Sequence, residues 1–386
     1  MKRLNIDYIV YIIVYFIQGS LALTSIALPF FLKDIIGLTT AQVTYLMAAA
    51  SIPWVLKPLY GMISDFFPIK GLKRKPYILI ASLIASLSWI VFAETNWFWI
   101  LVIAKVTANI GFASMDVFTD GLAVQKSTDK NRGIIQSVCW GSRSAGSLLT
   151  GFTGAYLINI IGYQGVFRVM AVLPLFVILA LVFVKEKHEK TKPVLKNFKA
   201  LFISLLKNNQ FLLAAGFIFL LFIAPSISTP FLFYMRETLG FTNSTIGLIM
   251  SISSLGALLG AIVYGRFLDK YSLKKLLRVM IVLGALFTFT IFLIVNEVTA
   301  YIVFFANSFL FYIIFIPVLK LSAKVCPKGF EATSFAVLMS LTNLSNQVLS
   351  QAIGGYLYSL MGITPVVFIS AITSLLALPL VKYFKE

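Results

Sequence analysis

The sequence predicts an all-α membrane protein built as two six-helix bundles related by pseudo-symmetry, and three observations predict it. Of its 386 residues, 59% are hydrophobic and 12% charged, with a mean hydropathy of +0.94, too apolar for a water-soluble domain of this size. The apolar residues gather in stretches of about 20, the length that carries a helix across a roughly 30 Å hydrocarbon core. The second half also repeats the first: Gly61-Met62-Ile63-Ser64-Asp65 and Gly265-Arg266-Phe267-Leu268-Asp269 lie 204 residues apart, and each ends an apolar segment and leads into Lys and Arg. Barrel strands would be shorter and alternate apolar with polar residues, and an open sheet would leave edge groups unsatisfied in lipid.

Twelve spans follow in order. In the first half they fall at about 8–32, 40–62, 76–94, 97–124, 132–160 and 164–184. In the second they fall at about 211–235, 243–268, 274–295, 298–323, 330–359 and 363–383. Residues 1–184 thus form an N-terminal bundle and 211–386 a C-terminal one. Between them, 185–210 is a Lys-rich linker in which Val194, Leu195, Phe198, Leu201 and Phe202 recur at helical spacing. It reads either as an amphipathic helix on the membrane surface or as a solvated connection. The run from Tyr8 to Leu32 is too long for a signal-peptide core, so it is the first span. Pro29, Pro225, Pro230 and Pro317 are expected to mark kinks.

Charge sets the expected orientation. Even-numbered loops carry Lys70, Lys73, Arg74 and Lys75, then Lys126, Lys130 and Arg132, and in the second half Lys270, Lys274, Lys275, Lys324 and Lys328. Odd-numbered loops hold only Lys33 and Arg236, each beside an acid. The positive-inside bias places both termini in the cytoplasm of a multi-pass protein of the cell membrane. The net charge of +18 is then topological, and nucleic-acid binding is not expected. Cys139 falls within a span and Cys326 in a cytoplasmic loop, so no disulfide is implied. His188, the one histidine, lies in the linker, which leaves no His-based metal site or catalytic triad, and no cofactor is expected.

The repeat extends beyond the two turns: Gly154, Tyr156 and Leu157 recur as Gly354, Tyr356 and Leu357, and Gly162 as Gly362, all at an offset of 200. Six spans in each half, with the same starting side, make parallel copies related about the membrane normal, which narrows the fold to the major facilitator type. Within that superfamily, the run from Pro53 to Tyr77, with Lys57-Pro58, Gly61, Asp65, Pro68, Gly71 and Arg74, resembles the second-span signature of the folate-biopterin transporter family. Asp116 and Asp120 resemble that family's fourth-span Asp-x-x-x-Asp, and Gln136 to Gly141 the start of its fifth span. The resemblance is specific over roughly residues 28–158 and architectural beyond.

That resemblance implies a cytoplasmic gate. Gly61 and Gly265 would let helices approach, while Asp65 and Asp269 would accept from N–H groups at a neighbouring helix start, near Arg132 and Glu331. The alternative is that the basic cluster only anchors topology. In the fourth span Lys105, Asn109, Phe112, Asp116 and Asp120 follow at spacings of four, three, four and four, so they share one face. Asp116 lies about 12–15 Å inside one end of that helix, where an ionisable group must line water or pair. Gln136, Trp140 and Arg143 share a face of the fifth span, and Arg143, always charged, requires a carboxylate, for which Asp116 is nearest in depth. That pair either ties helices together permanently or faces a cavity and opens. Lys57 either pairs with Asp120 or snorkels to the interface.

The second half offers amides and hydroxyls: Asn307 and Tyr312 in the tenth span, Asn343 and Gln347 in the eleventh. They either hydrogen-bond a heterocyclic solute, with Phe112, Trp140 and Tyr312 stacking on a ring, or join helix to helix. The reading is a monomeric secondary transporter moving a small anionic organic solute by alternating access, with Asp116 or Asp120 carrying a coupling proton. Its rivals are an exporter or exchanger of another amphiphilic solute, and a non-transporting membrane receptor or assembly protein. No nucleophile or phosphate loop supports an enzyme.

Overall fold

The protein is described here in a computed structural model covering residues 7–126, 132–182, 184, 186, 203, 205–268, 271–326 and 331–384. The first span is α1 (Asp7–Gly19) and α2 (Thr24–Asp34), joined by a 3-10 turn over Ser20–Leu23. The second is α3 (Thr40–Ala50), α4 (Ile52–Val55) and α5 (Lys57–Phe66). Then come α6 (Lys75–Ala93), α7 (Phe98–Lys126), α8 (Arg132–Val172) and α9 (Leu175–Leu181). The seventh span is α10 (Asn209–Phe222) and α11 (Ser228–Glu237). It is followed by α12 (Asn243–Val263) with a π segment over Tyr264–Leu268, α13 (Leu273–Thr288) and α14 (Glu297–Val325). The eleventh span is α15 (Glu331–Asn343), a π segment over Leu344–Leu349 and α16 (Ser350–Met361), and α17 (Ile363–Leu375) opens the twelfth.

Among the described residues nine helical stretches are long and apolar enough to cross a membrane, and the 44-residue stretch Val138–Leu181 contains the boundary between the fifth and sixth expected spans. Gly162 makes that boundary: at φ 68° and ψ 179° it leaves the helical region inside α8. Its repeat partner Gly362, at φ 75° and ψ −169°, separates α16 from α17. Both positive φ values suit a residue without Cβ. Side-chain caps start other helices. Thr39 and Gln42 form a reciprocal capping box before α3, and Asn296 and Thr299 do the same before α14.

The chain divides into two compact units, one of residues 1–37 and 56–194, the other of 38–55 and 195–386. The sequence suggested one division in the linker, and the stretch 38–55 is assigned to the second unit. The expected amphipathic helix over 185–210 lies largely outside the described residues.

In the first unit α1 packs along α8, and α6 along α7. Phe92 meets Phe167 edge-on at 4.9 Å, and Trp89 stacks on Phe167 at 5.7 Å, contacts worth about 0.5–1.5 kcal/mol each beyond area burial. Gly154 of α8 lies against the 3-10 turn so closely that a Cβ would sit 2.3 Å from the Leu23 carbonyl oxygen. In the second unit α12 packs on α14 and α16 on α3, while Phe217, Leu277, Val318 and Leu338 belong to a core shared by α10, α13, α14 and α15. Here Gly354 lies against the break between α10 and α11, with a Cβ 1.9 Å from the Ser226 carbonyl oxygen. The repeated glycine therefore does the same work twice, seating the fifth helix of each half on the interruption of the first.

Proline explains two other departures from regular helix. Pro225 lies in the break between α10 and α11, whereas Pro29 and Pro317 sit inside α2 and α14. Pro58, lacking an N–H, cannot donate to the Trp54 carbonyl, and the helix is interrupted at Leu56. Asn343 supplies the missing donor, with Nδ2 at 3.0 Å from that carbonyl oxygen.

Candidate functional site

The interruption at Leu56 decides which way Lys57 projects. As the first residue of α5, which packs on α7, Lys57 places Nζ 2.6 Å from Oδ2 of Asp116. The sequence pairs Asp116 with Arg143 and leaves Lys57 either to Asp120 or to snorkel to the interface; the ion pair that forms is Lys57–Asp116. Its side chains are 20% and 6% exposed, so each charge has left most of its water and depends on the other. One turn along α7, Asp120 accepts a hydrogen bond from the Tyr15 hydroxyl of α1. Gln18, one turn from Tyr15, lies beside Asp116. Arg143 acts electrostatically on both carboxylates and lays its guanidinium over the Trp140 ring, 5.3 Å from its centre.

At the other end of the same face Lys105 is 6% exposed. Its Nζ lies 3.5 Å from Oδ1 of Asn109 and 4.8 Å from the centre of the Trp89 ring, a cation–π contact. Among the described residues no carboxylate lies within ion-pair distance of it. Phe112, between Lys105 and Asp116, is fully buried and serves as packing here rather than as an exposed stacking surface.

The basic cluster after the second span is also engaged. Arg74 is 8% exposed and donates to the Ser64 hydroxyl, while its guanidinium covers Gly121 of α7. Glu186 receives three backbone N–H groups at the start of α6, from Lys73 at 2.9 Å and from Arg74 and Lys75 at 2.8 Å. A carboxylate at a helix N-terminus satisfies orphan donors and meets the positive end of the helix dipole. Of the gate residues, Gly61 sits in α5, where a Cβ would make ordinary contact with Val117 at 3.5 Å, and Gly265 in the π segment. The side chains of Asp65, Arg132 and Gln136, and the whole of Asp269, lie outside the described residues.

Several polar residues of the second unit bond to one another or to backbone carbonyls. Asn307 donates to the Thr290 hydroxyl at 2.8 Å, and Ser253 bonds Ser308. Gln347 donates to Asn343 at 3.2 Å, behind the Asn343–Trp54 bond. Tyr312 packs against Phe311 and Phe315. Ser350 bonds the Ala224 carbonyl at the helix break, and its own carbonyl accepts from Ser226 at 2.9 Å.

Tyr15, Gln18, Trp89 and Glu186 are absent from the residues selected by sequence. Tyr15 and Gln18 could have been found as polar residues at i, i+3 within an apolar run. Trp89 and Glu186 act through a ring face and through backbone N–H groups, for which no complementary residue signals the contact.

A helical bundle with two parallel repeats and a charged interior face has the fold of major facilitator transporters. Solved transporters share this fold. A D-xylose–proton symporter superposes with a TM-score of 0.78 at 15% identity, covering 99% of this chain and 97% of that one. For the nucleoside transporter NupG, as its D323A mutant, the score is 0.77 at 15% identity, with 99% and 100% covered. The chain belongs to the BT1 family of folate-biopterin transporters, whose model matches residues 18–384. It is 30% identical to the folate-biopterin transporter of Synechocystis sp., over 95% of this chain and 79% of that protein. It is 27% identical to folate transporter 2 of Plasmodium falciparum, over 89% and 79%.

Proposed function

We propose that this transporter moves a small anionic organic solute, folate- or pterin-like, by alternating access with proton coupling. The observation that carries the reading is Lys105, a buried cation beside Asn109 with no carboxylate among the described residues to balance it. An anionic group on the solute would supply that balance. The names of the relatives support the folate or pterin class. Trp140, Arg143 and Gln136 belong to the same proposed binding set, and Asn307, Tyr312, Asn343 and Gln347 are the solute contacts proposed for the second unit. Asp116 and Asp120 are the candidate proton carriers, and Gly61, Asp65, Gly265, Asp269 and Arg132 the candidate gate. The Lys and Arg bias of the even loops supports cytoplasmic termini, and a monomer in the cell membrane completes the proposal.

The test is a thermal-shift screen of folates, pterins, nucleosides and small carboxylates, followed by uptake of the stabilising compound into liposomes. Lys105→Met is expected to raise KM about tenfold or more, the loss of a hydrogen bond to a charged group. Unchanged KM would remove Lys105 from the site. A second reading, exchange or export with the Lys57–Asp116 pair as a permanent tie, is favoured by the burial of that pair. Counterflow that proceeds without any response to a proton gradient would support it.

A further inference from the structure

We propose that Asp120, with Tyr15 as its hydrogen-bond partner, takes up and releases the coupling proton, while Asp116 stays ionised against Lys57. This rests on the proton-coupled reading above and chooses between its two carboxylates.

The two aspartates stand one turn apart on α7 with different partners. Asp116 is 4% exposed and holds the Lys57 ammonium at 2.6 Å. Protonating it would remove the counter-charge 2.6 Å from that ammonium, which has itself left most of its water. Asp120 takes its hydrogen bond from the neutral Tyr15 hydroxyl, and among the described residues no cation lies within ion-pair distance of it. A phenol both donates and accepts. When Asp120 is a carboxylate, Tyr15 donates its O–H; when Asp120 is an acid, its own O–H can donate to the Tyr15 oxygen. The contact therefore survives both protonation states. Asp120 is also only partly buried, and it stands six residues from the end of α7 at Lys126, about 9 Å along the axis, within reach of water.

The surrounding charges give the proton a role. The groups facing Asp120 are Asp116 on α7, Lys57 on α5, Arg143 on α8 and Tyr15 on α1, with Cys139 of α8 beside Tyr15. With both aspartates ionised, Lys57 and Arg143 are balanced. Addition of one proton from water to an Asp120 oxygen converts –COO⁻ to –COOH and leaves the cluster with one net positive charge. An anionic solute restores neutrality, and its departure with the proton returns the cluster to its starting state. One proton thus accompanies one negative charge.

Infrared difference spectroscopy of the protein in liposomes tests the assignment without any knowledge of the solute. The carbonyl stretch of a protonated carboxyl should rise and fall with pH, persist in Asp116→Asn and vanish in Asp120→Asn. In Tyr15→Phe it should change frequency and titration midpoint. Where Asp120→Asn does not fold, Asp120→Glu should move the band. A band that is absent from the wild type, or that survives in Asp120→Asn, overturns the assignment. With labelled folate as the transport probe, Asp120→Asn should keep counterflow while losing at least tenfold of the pH-gradient-driven accumulation. A wild type that carries folate but is indifferent to the gradient overturns the proton-coupled reading and the assignment with it. A responsive wild type whose Asp120→Asn variant responds equally overturns the assignment alone. If folate is not carried, the infrared band decides.

Discussion

The first unit buries Lys105 and Asp116 and pairs the latter with a half-buried Lys57, whereas the polar interior residues of the second include Asn307, Asn343, Gln347 and serines. The backbone plan is doubled in both, down to Gly154 and Gly354 against a helix break and Gly162 and Gly362 at a helix junction. Duplication has preserved the joints and let the interiors diverge. Amides and hydroxyls form local hydrogen bonds that carry no net charge, while charges in low dielectric respond to any ion or proton that arrives.

The sharpest test of that difference removes one member of the charged pair. Lys57→Ala should cost about 3–5 kcal/mol, read as a large fall in the detergent unfolding midpoint, because the buried Asp116 loses the ammonium that forms its ion pair. Lys57→Met combined with Asp116→Leu should recover most of the stability. If the single change is no worse than an uncharged one in the second unit, the contrast collapses. Next come the shared joints. Gly154→Val and Gly354→Val should each cost about 1–3 kcal/mol by overpacking, whereas Gly141→Ala, with open space around its Cβ, should be close to neutral. Unequal costs at the two glycines would show that the repeat is no longer equivalent there.

Smaller still, Asn343→Ala removes the 3.0 Å hydrogen bond to the Trp54 carbonyl and should cost about 1–2 kcal/mol by thermal unfolding. Last is the exposed Arg168–Glu94 pair, with N–O distances of 2.7 and 3.1 Å. Arg168→Gln should leave both the unfolding midpoint and transport unchanged, since water and salt screen such pairs.

Spacing made the doubled plan legible, because membrane helices need fixed lengths and the glycines at both joints recur at one offset. It also put Lys105, Asn109, Phe112, Asp116 and Asp120 on one face. Depth along a helix, however, does not give direction around it. Arg143 matched Asp116 in depth, yet Lys57 reaches the carboxylate because Pro58 interrupts the second span and α5 restarts at Lys57. Asn343 read either as a solute contact or as a tie between helices, and its bond to the Trp54 carbonyl, the acceptor that Pro58 cannot serve, is a relation no local pattern reveals.

Glu186 gathers the N–H groups of three consecutive residues and fastens the chain after the sixth span to the beginning of α6. Mechanically it is an anchor: a pull on the chain beyond Glu186 is delivered to the base of α6 rather than to the sixth span alone. The same grip gives the molecule a built-in gauge, because the amide hydrogens of Lys73, Arg74 and Lys75 should exchange with deuterated water as a group, slowly while the anchor holds and rapidly once it slips.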